Sequence, residues 1–433
     1  YTLGDVIGVA LDIDGGTVTF YKNNVSQGAI SLSLSTLDGN IIYPFNVSYN
    51  NYFVINFGQR PFAYTPPTGF LPLHTGNLPD STLVDGSQHF DVVLRTGTGT
   101  ADGQSQVISN LAFTPDLVWN KARSNAFNHN LVDSVRGNDA LLLSNSTNEE
   151  TSVGTTGTQL QITANGFTAI QRVSYNATNQ NAVTYAAWNW KAGTAFSNDA
   201  GTNGATIASV GSVNQDAGFS IVTYTGNSTS GATVAHSLGV APKVMIVKQR
   251  STGTATSWYV YHQSIDASPQ NYALYLNLPN GKDVASVFWN NTAPTASVFS
   301  IGTSVGVNQD TKTYVAYCFA EVPGYSKFGS YTGNGLPDGV FVHLGFRARY
   351  LLIKASSTSG YSWNIIDTAR DTYNTQGLYL FANTVGTEGS GSNVDILSNG
   401  FKLRNAGAGV NGSGITYIYM AFAENPFKNS LAR

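Results

Sequence analysis

The chain has 433 residues, a formal charge of −3, and only 11% charged residues, where an ordinary globular chain carries about 25%. That length predicts about two to four domains, and the charge-poor composition excludes a nucleic-acid-binding surface. Charge gives way to Gly, Tyr, Phe, Ser, Thr and Asn, residues of strands and tight turns, so a β-rich extracellular or assembly protein is expected. Cysteine is limited to Cys318; no intrachain disulfide can form, and passage through an oxidising compartment has no support. No apolar run approaches a membrane span, and YTLGDVIGVALDIDGG lacks the basic region and apolar core of a signal peptide. A soluble chain without membrane insertion is expected.

In chain order, GDVIGVALDIDGGTVTFYKNN at 4–24 reads as two alternating strands joined by Asp14-Gly15-Gly16, a strong hairpin signal. YPFNVSYNNYFVINFGQRPFAYTPPTGF follows at 43–70. From residue 86 onward one order of landmarks occurs three times, a sign of internal repetition. Strands beginning at Phe90, Phe219 and Phe328 run into a Thr-Gly turn, and apolar strands ending in Lys121, Lys248 and Lys354 come next. Segments beginning with Leu141, Leu274 and Leu378 follow, then segments around Phe167, Phe299 and Phe401. Closing strands place Trp188 and Trp190, Tyr317 and Phe319, and Met420 and Phe422 on one face by period-2 alternation.

The landmarks predict an all-β chain: modules at 86–193, 216–323 and 326–427, each a β-sandwich of jelly-roll-like type. Residues 1–80 form a separate piece, 194–215 a Gly-, Ser-, Thr- and Asn-rich linker, and 428–433 a tail. Domain-sized modules are expected to hold separate cores, like beads on a string. The short junction 322–327 is expected to be stiffer than 194–215.

The strands GDVIGVALD and TVTFYKN and the stretch VINFGQRPFAYTPPTGF resemble the second half of a SPRY domain, over about residues 1–75. The resemblance implies a partial sandwich whose other half comes from upstream chain or a neighbouring subunit. Together with three β-modules and the ending AFAENPFKNSLAR, the chain looks like structural proteins of tailed bacteriophages, especially those of marine bacteria and cyanobacteria. That likeness implies a virion component and carries over no catalytic residue.

Residue chemistry points the same way. One Cys and six His at 74, 89, 129, 236, 262 and 343 offer neither HxxxH nor CxxC spacing, so no metal site and no cofactor is expected. TGTGTADGQ at 96–104 reads as a hairpin turn and not a phosphate cradle. Asp133 with Arg136 and Asp367 with Arg370 occupy equivalent places, where the middle module has His262 and Ile265. A glycosidase would need a second carboxylate beside each Asp; pairing of Asp with Arg to fix a turn is the expected role. Asp12 and Asp14 near a Gly turn lack EF-hand spacing, so Asx hydrogen bonding is expected there. The closing-strand aromatics, with Trp119, Trp258 and Trp363, are core candidates; Phe127, Tyr175, Trp289 and Tyr373, in variable stretches, are candidate stacking platforms for sugar rings. Sequons at Asn24, Asn46, Asn145, Asn176, Asn227, Asn290 and Asn411 are expected by chance in an Asn-rich chain.

These readings lead to a non-enzymatic bacteriophage virion protein: a tail fibre, appendage or capsid-attached fibre on the particle exterior. Its expected partners are copies of itself, with three copies on the resemblance to phage fibres, other virion proteins and host-surface glycan. The alternatives are a polysaccharide depolymerase of the tailspike kind and a SPRY-type protein-binding adaptor.

Overall fold

The computed structural model describes residues 2–32, 54–73, 77, 83, 85–152, 157–172, 178–251, 253, 255–284 and 286–424. Tyr175 and the tail 428–433 lie outside them. The chain divides into two compact units, Tyr1–Asp80 and Ser81–Arg433, and the described elements are almost entirely strands. The protein is all-β.

In the first unit, Ile7–Asp12, Thr17–Lys22 and Val25–Ser31 form an antiparallel sheet in that order. The hairpin signal is realised: Asp12 Oδ1 accepts the Gly15 amide at 2.7 Å, the Asx bond expected of such a turn. Within these strands only Ala10 is buried, while Val9, Val25 and Ile30 remain 61, 65 and 54% exposed.

The second unit contains the three repeats, and they share one strand order. The inner sheet of the first runs Phe90–Thr96, Thr184–Trp190, Leu117–Ala122, Asn130–Asp133, Gly137–Leu143. The second runs Phe219–Thr225, Thr313–Phe319, Val244–Gln249, Tyr259–His262, Tyr272–Tyr275. The third runs Ser326–Thr332, Thr416–Ala423, Ala348–Ala355, Asn364–Asp367, Gln376–Phe381. Each closing strand therefore sits between the opening strand and the lysine strand. Register refines the sequence alignment: Phe90 and Phe219 pair with Trp190 and Phe319, and Ser326, two residues before Phe328, pairs with the matching Phe422.

An outer layer covers one face of each inner sheet. Ser105–Ile108 with Gly166–Ile170 and Leu160–Thr163 does so in the first module, and Ala232–Ala235 with Val298–Ile301 in the second. In the third module both layers belong to one eight-stranded sheet. Phe167, Phe299 and Phe401 anchor these outer cores, each fully buried. The layers are unequal, unlike the matched sheets of a jelly roll.

The other face of each inner sheet corrects the bead model. Trp119, Trp188 and Trp190 from the first module, Trp258, Tyr317 and Phe319 from the second, and Tyr350, Trp363 and Phe422 from the third belong to one continuous core. At its centre the rings of Trp190, Phe319 and Phe422, equivalent residues of the three closing strands, form a triangle with centroid separations of 6.3, 5.9 and 5.9 Å. A nearby gap of about 20 Å³ is lined by apolar side chains of all three modules; it offers a water no polar partners. The cause lies in the strands. VMIVKQ, ARYLLIKA and TYVAYCF are apolar at both alternations, so a single covering layer leaves half of each strand exposed. The modules cover that half for one another.

The predicted linker is also corrected. Thr194–Asn198 and Ser209–Asn214 pair as a hairpin and extend the second module's sheet beside Phe219–Thr225. Ser, Thr and Gly there suit an edge position, where one face meets solvent.

A shared core makes the modules interdependent. Residues 194–323 produced alone would expose the face carrying Phe219, Ile221, Trp258, Tyr317 and Phe319, and we predict that this fragment lacks a cooperative thermal transition and binds a hydrophobic dye. Sharp two-state melting of the isolated fragment would contradict the common core.

Candidate functional site

The polar side chains that the sequence singles out converge at three seams between modules. Lys121, Lys248 and Lys354 are each fully buried at the end of a lysine strand. Each Nζ donates across a seam: Lys121 to Val385 O at 3.1 Å, Lys248 to Thr147 O at 3.0 Å, Lys354 to Pro279 O at 3.2 Å. Ring N–H groups repeat the pattern. His129 Nε2 donates to Phe381 O at 3.0 Å, its Nδ1 accepting from Trp119 Nε1. Trp258 Nε1 donates to Leu143 O and Trp363 Nε1 to Tyr275 O, both at 2.9 Å. First module reaches third, second reaches first, and third reaches second. The bonds run in one rotational sense and close on themselves, so a single chain encloses its own approximate three-fold axis.

Bonds to Asn145, Asn277 and Asn383 fix the structural alignment, since their side chains accept the amides of His129, Trp258 and Trp363. Leu142, Leu274 and Leu380 are therefore equivalent, which moves the Leu141 and Leu378 assignments by one and two residues.

Two seams carry an ionic ladder. At the first, Arg136 Nε bonds Asp133 Oδ2 at 2.5 Å, Arg136 Nη1 bonds Glu150 at 2.9 Å, and Glu150 takes both Arg250 Nε and Nη2. Tyr317 of the second module donates its hydroxyl to Asp133 at 2.8 Å. At the seam joining third to first module, Arg370 holds Asp367 at 2.6 Å and Glu388 at 3.1 Å, Glu388 grips Arg123, and Trp188 Nε1 donates to Asp367 at 3.0 Å. The pairs Asp133–Arg136 and Asp367–Arg370 are completely enclosed. Burial disfavours the Arg136 charge, but Asp133, Tyr317 and Glu150 outweigh it and hold the guanidinium above its ordinary pKa. Burial likewise works against Glu150 as an anion; Arg250 and Arg136 prevail and lower its pKa. Each carboxylate of the two ladders is bound to arginine.

The seam between second and third modules departs from this plan at every rung. His262 replaces the aspartate and donates to Tyr419 O at 3.1 Å, because Met420 stands where Tyr317 and Trp188 donate elsewhere. Ile265 replaces the arginine, Lys282 the glutamate, and Ser356 the partner arginine; Lys282 N bonds Ser356 O as Glu150 N bonds Arg250 O. Lys282 pairs instead with Asp266 of its own module. The lost side-chain volume leaves a cleft of about 390 Å³ lined by Ser264, Asp266, Lys282, Ser330, Ser356, Thr416 and their neighbours.

The candidate sugar platforms separate. Trp289 is fully buried with Nε1 on Tyr272 O at 2.9 Å, and Phe127 is half-buried against Ala122, Val183 and Tyr185. Both are packing residues. Tyr373 stands 83% exposed. Sequence reading missed a further triplet. Asn179, Asn308 and Asn411 are fully buried, and their side chains cap the amides of Thr98, Asn227 and Asn334 just after the Thr-Gly turns. The turn glycine is required there: a Cβ on Gly97, Gly226 or Gly333 would lie 2.2, 2.4 or 2.3 Å from a backbone oxygen. Hydroxyls of Tyr185, Tyr314 and Tyr417 accept the amides of Gln180, Gln309 and Gly412 next to those asparagines. The repeated Thr-Tyr of each closing strand was the available signal.

Comparison with protein families finds one model, a domain of unknown function designated DUF7483, matching residues 85–426 as a single stretch. The chain belongs to the DUF7483 family. The matched stretch spans all three modules, in keeping with a DUF7483 domain that is one three-module body. Among curated proteins, an E3 ubiquitin-protein ligase RKP of Arabidopsis thaliana is 39% identical over 75 residues, 17% of this chain. The chain spans about 6% of that protein's length. No solved structure matches this DUF7483 chain. Among the described residues no three His, Cys, Asp or Glu side chains converge, and no helix is long and apolar enough to cross a membrane.

Burial lowers Lys121 and Lys248 to about 8 and Lys354 to about 7, from an ordinary 10.5. The unfolded chain therefore binds more protons between about pH 7 and 10.5, and raising the pH through that window stabilises the fold. Below it the buried histidines act in the same direction, because burial lowers His236 and His262 to about 4. We predict a melting temperature that rises from pH 4 to 6.5 and again from 7 to about 10. Above that it falls, since burial raises Tyr325 and Tyr350 beyond the usual tyrosine range. The triple variant K121M/K248M/K354M should lose only the second rise, a gain on the order of 10 kcal/mol for the three lysines together. An unchanged alkaline rise in the triple variant would remove the lysines as its cause.

Proposed function

We propose that this chain is a non-enzymatic structural protein on the exterior of a bacteriophage particle, in a tail fibre, appendage or capsid-attached fibre, where it contributes to host-surface attachment. The observation that carries the reading is the fate of the reactive side chains. Asp133, Asp367, Lys121, Lys248, Lys354 and Cys318 are all buried, and the charged ones lock modules together. Such a body resists local opening and serves a mechanical role, whereas a depolymerase needs a solvent-facing acid with a second carboxylate nearby. The resemblance of the repeats and the C-terminal ending to phage structural proteins supports the location. Host-surface glycan suits a chain displayed in many copies, because weak single contacts add up on a particle.

The low charge that predicts self-association is met partly within the chain, where modules bury one another. Copies of the chain and other virion proteins are assigned to the first unit's sheet, where Val9, Val25 and Ile30 present apolar surface.

Peptide mass spectrometry and antibody labelling of purified, nuclease-treated particles test the location; the expected result is stoichiometric protein on the particle surface. The purified chain should release no reducing ends from host polysaccharide. Absence from particles, or release of reducing ends that disappears in D133N or D367N, would overturn the reading.

A further inference from the structure

We propose that the cleft at the seam between the second and third modules is a binding site for a neutral polyhydroxylated ring, a sugar residue; this deepens the attachment role and rests on that reading. Two ladders show what a closed seam needs: Asp–Arg–Glu in one module and Arg in the next. The third seam has His262, Ile265, Lys282 and Ser356 at these places, and the long side chain that fills the other seams is missing at Ser356. The gap at the shared core is only about 20 Å³, against about 390 Å³ for this cleft. The cleft is large enough for a small ligand, at the lower end of the roughly 300–1,000 Å³ typical of such sites.

The lining chemistry selects the ligand. Lys282 and Asp266 neutralise each other within the cleft, so neither a cation nor an anion meets an unbalanced charge. The remaining valences are hydroxyls. Ser264, Ser330 and Thr416 side chains bond to no partner among the described residues, while Ser356 Oγ is committed to Thr416 O at 3.1 Å. Hydroxyls both donate and accept, as do the O–H groups of a sugar. Asp266 keeps acceptor capacity beyond its bonds to Lys282 and the Ser268 amide, and a carboxylate receiving a sugar O–H makes the stronger, charge-assisted bond. The Ala267 methyl, also lining the cleft, meets the C–H face of a ring.

The two closed seams also supply the test. K282E/S356R copies Glu150–Arg250 and Glu388–Arg123 into the open seam, filling the cleft with side chains this domain already accommodates. Saturation-transfer NMR and calorimetry on the full chain, with hexoses, N-acetylhexosamines and their short oligosaccharides as probes, should show binding to at least one neutral sugar. K282E/S356R should weaken it by at least about tenfold, and S330A or T416V by about threefold to tenfold, the loss of one hydrogen bond. The point variants keep the test decisive if the double variant folds poorly. Binding to none of the probes, binding that survives K282E/S356R and both point variants, or binding confined to sugar acids or phosphates would overturn the proposal. Because the isolated chain is used, the result is independent of particle location, which particle composition decides separately.

Discussion

Everything in the second unit follows from strands that are apolar on both faces. A half-buried sheet needs one cover, and each inner sheet here needs two. The outer layer of its own module provides the first; the remaining face finds cover only on the other two modules. Three sheets meeting at Trp190, Phe319 and Phe422 satisfy one another, so packing that would otherwise require three copies of a protein is completed inside one chain.

Burying three faces together also buries the polar groups along their rims, and the seams answer that cost. Lysine Nζ and ring N–H groups reach carbonyls of the neighbouring module, and two Asp–Arg pairs are extended into four-membered ionic ladders. Breaking one partner of such an enclosed pair costs about 3–5 kcal/mol, so the ladders specify which module faces which. The third seam has lost that ladder and keeps the lysine and ring bonds, which explains how it opens locally at Lys282 and Ser356 while the ring of modules stays closed.

Much of this was legible in the sequence. Period-2 alternation placed Trp188 and Trp190, Tyr317 and Phe319, and Met420 and Phe422 on common faces, and the strand order is shared as the landmark order predicts. Lys121, Lys248 and Lys354 do hold one structural place. The Asp–Arg spacing also announced its turn. The common core was harder to see, because apolar residues at both alternations of VMIVKQ and ARYLLIKA say that a second cover exists without saying who supplies it. Composition misled over 194–215, where Ser, Thr and Gly serve an edge hairpin as readily as a linker. Trp289 stood in a variable stretch, yet its indole reaches Tyr272 O inside the outer core. The cleft was invisible for another reason: it arises from residues missing at equivalent positions, and the equivalence of Glu150, Lys282 and Glu388 emerges only from the seam bonds.

The most direct test of the common core is native-state hydrogen exchange, read by mass spectrometry across a denaturant series. The closing strands Thr184–Trp190, Thr313–Phe319 and Thr416–Ala423 belong to three modules but one core. Their slowest amides should merge into one opening with a single free energy and a single denaturant slope. Three separate openings, each with the smaller slope of one module, would contradict a shared core and restore the image of independent beads.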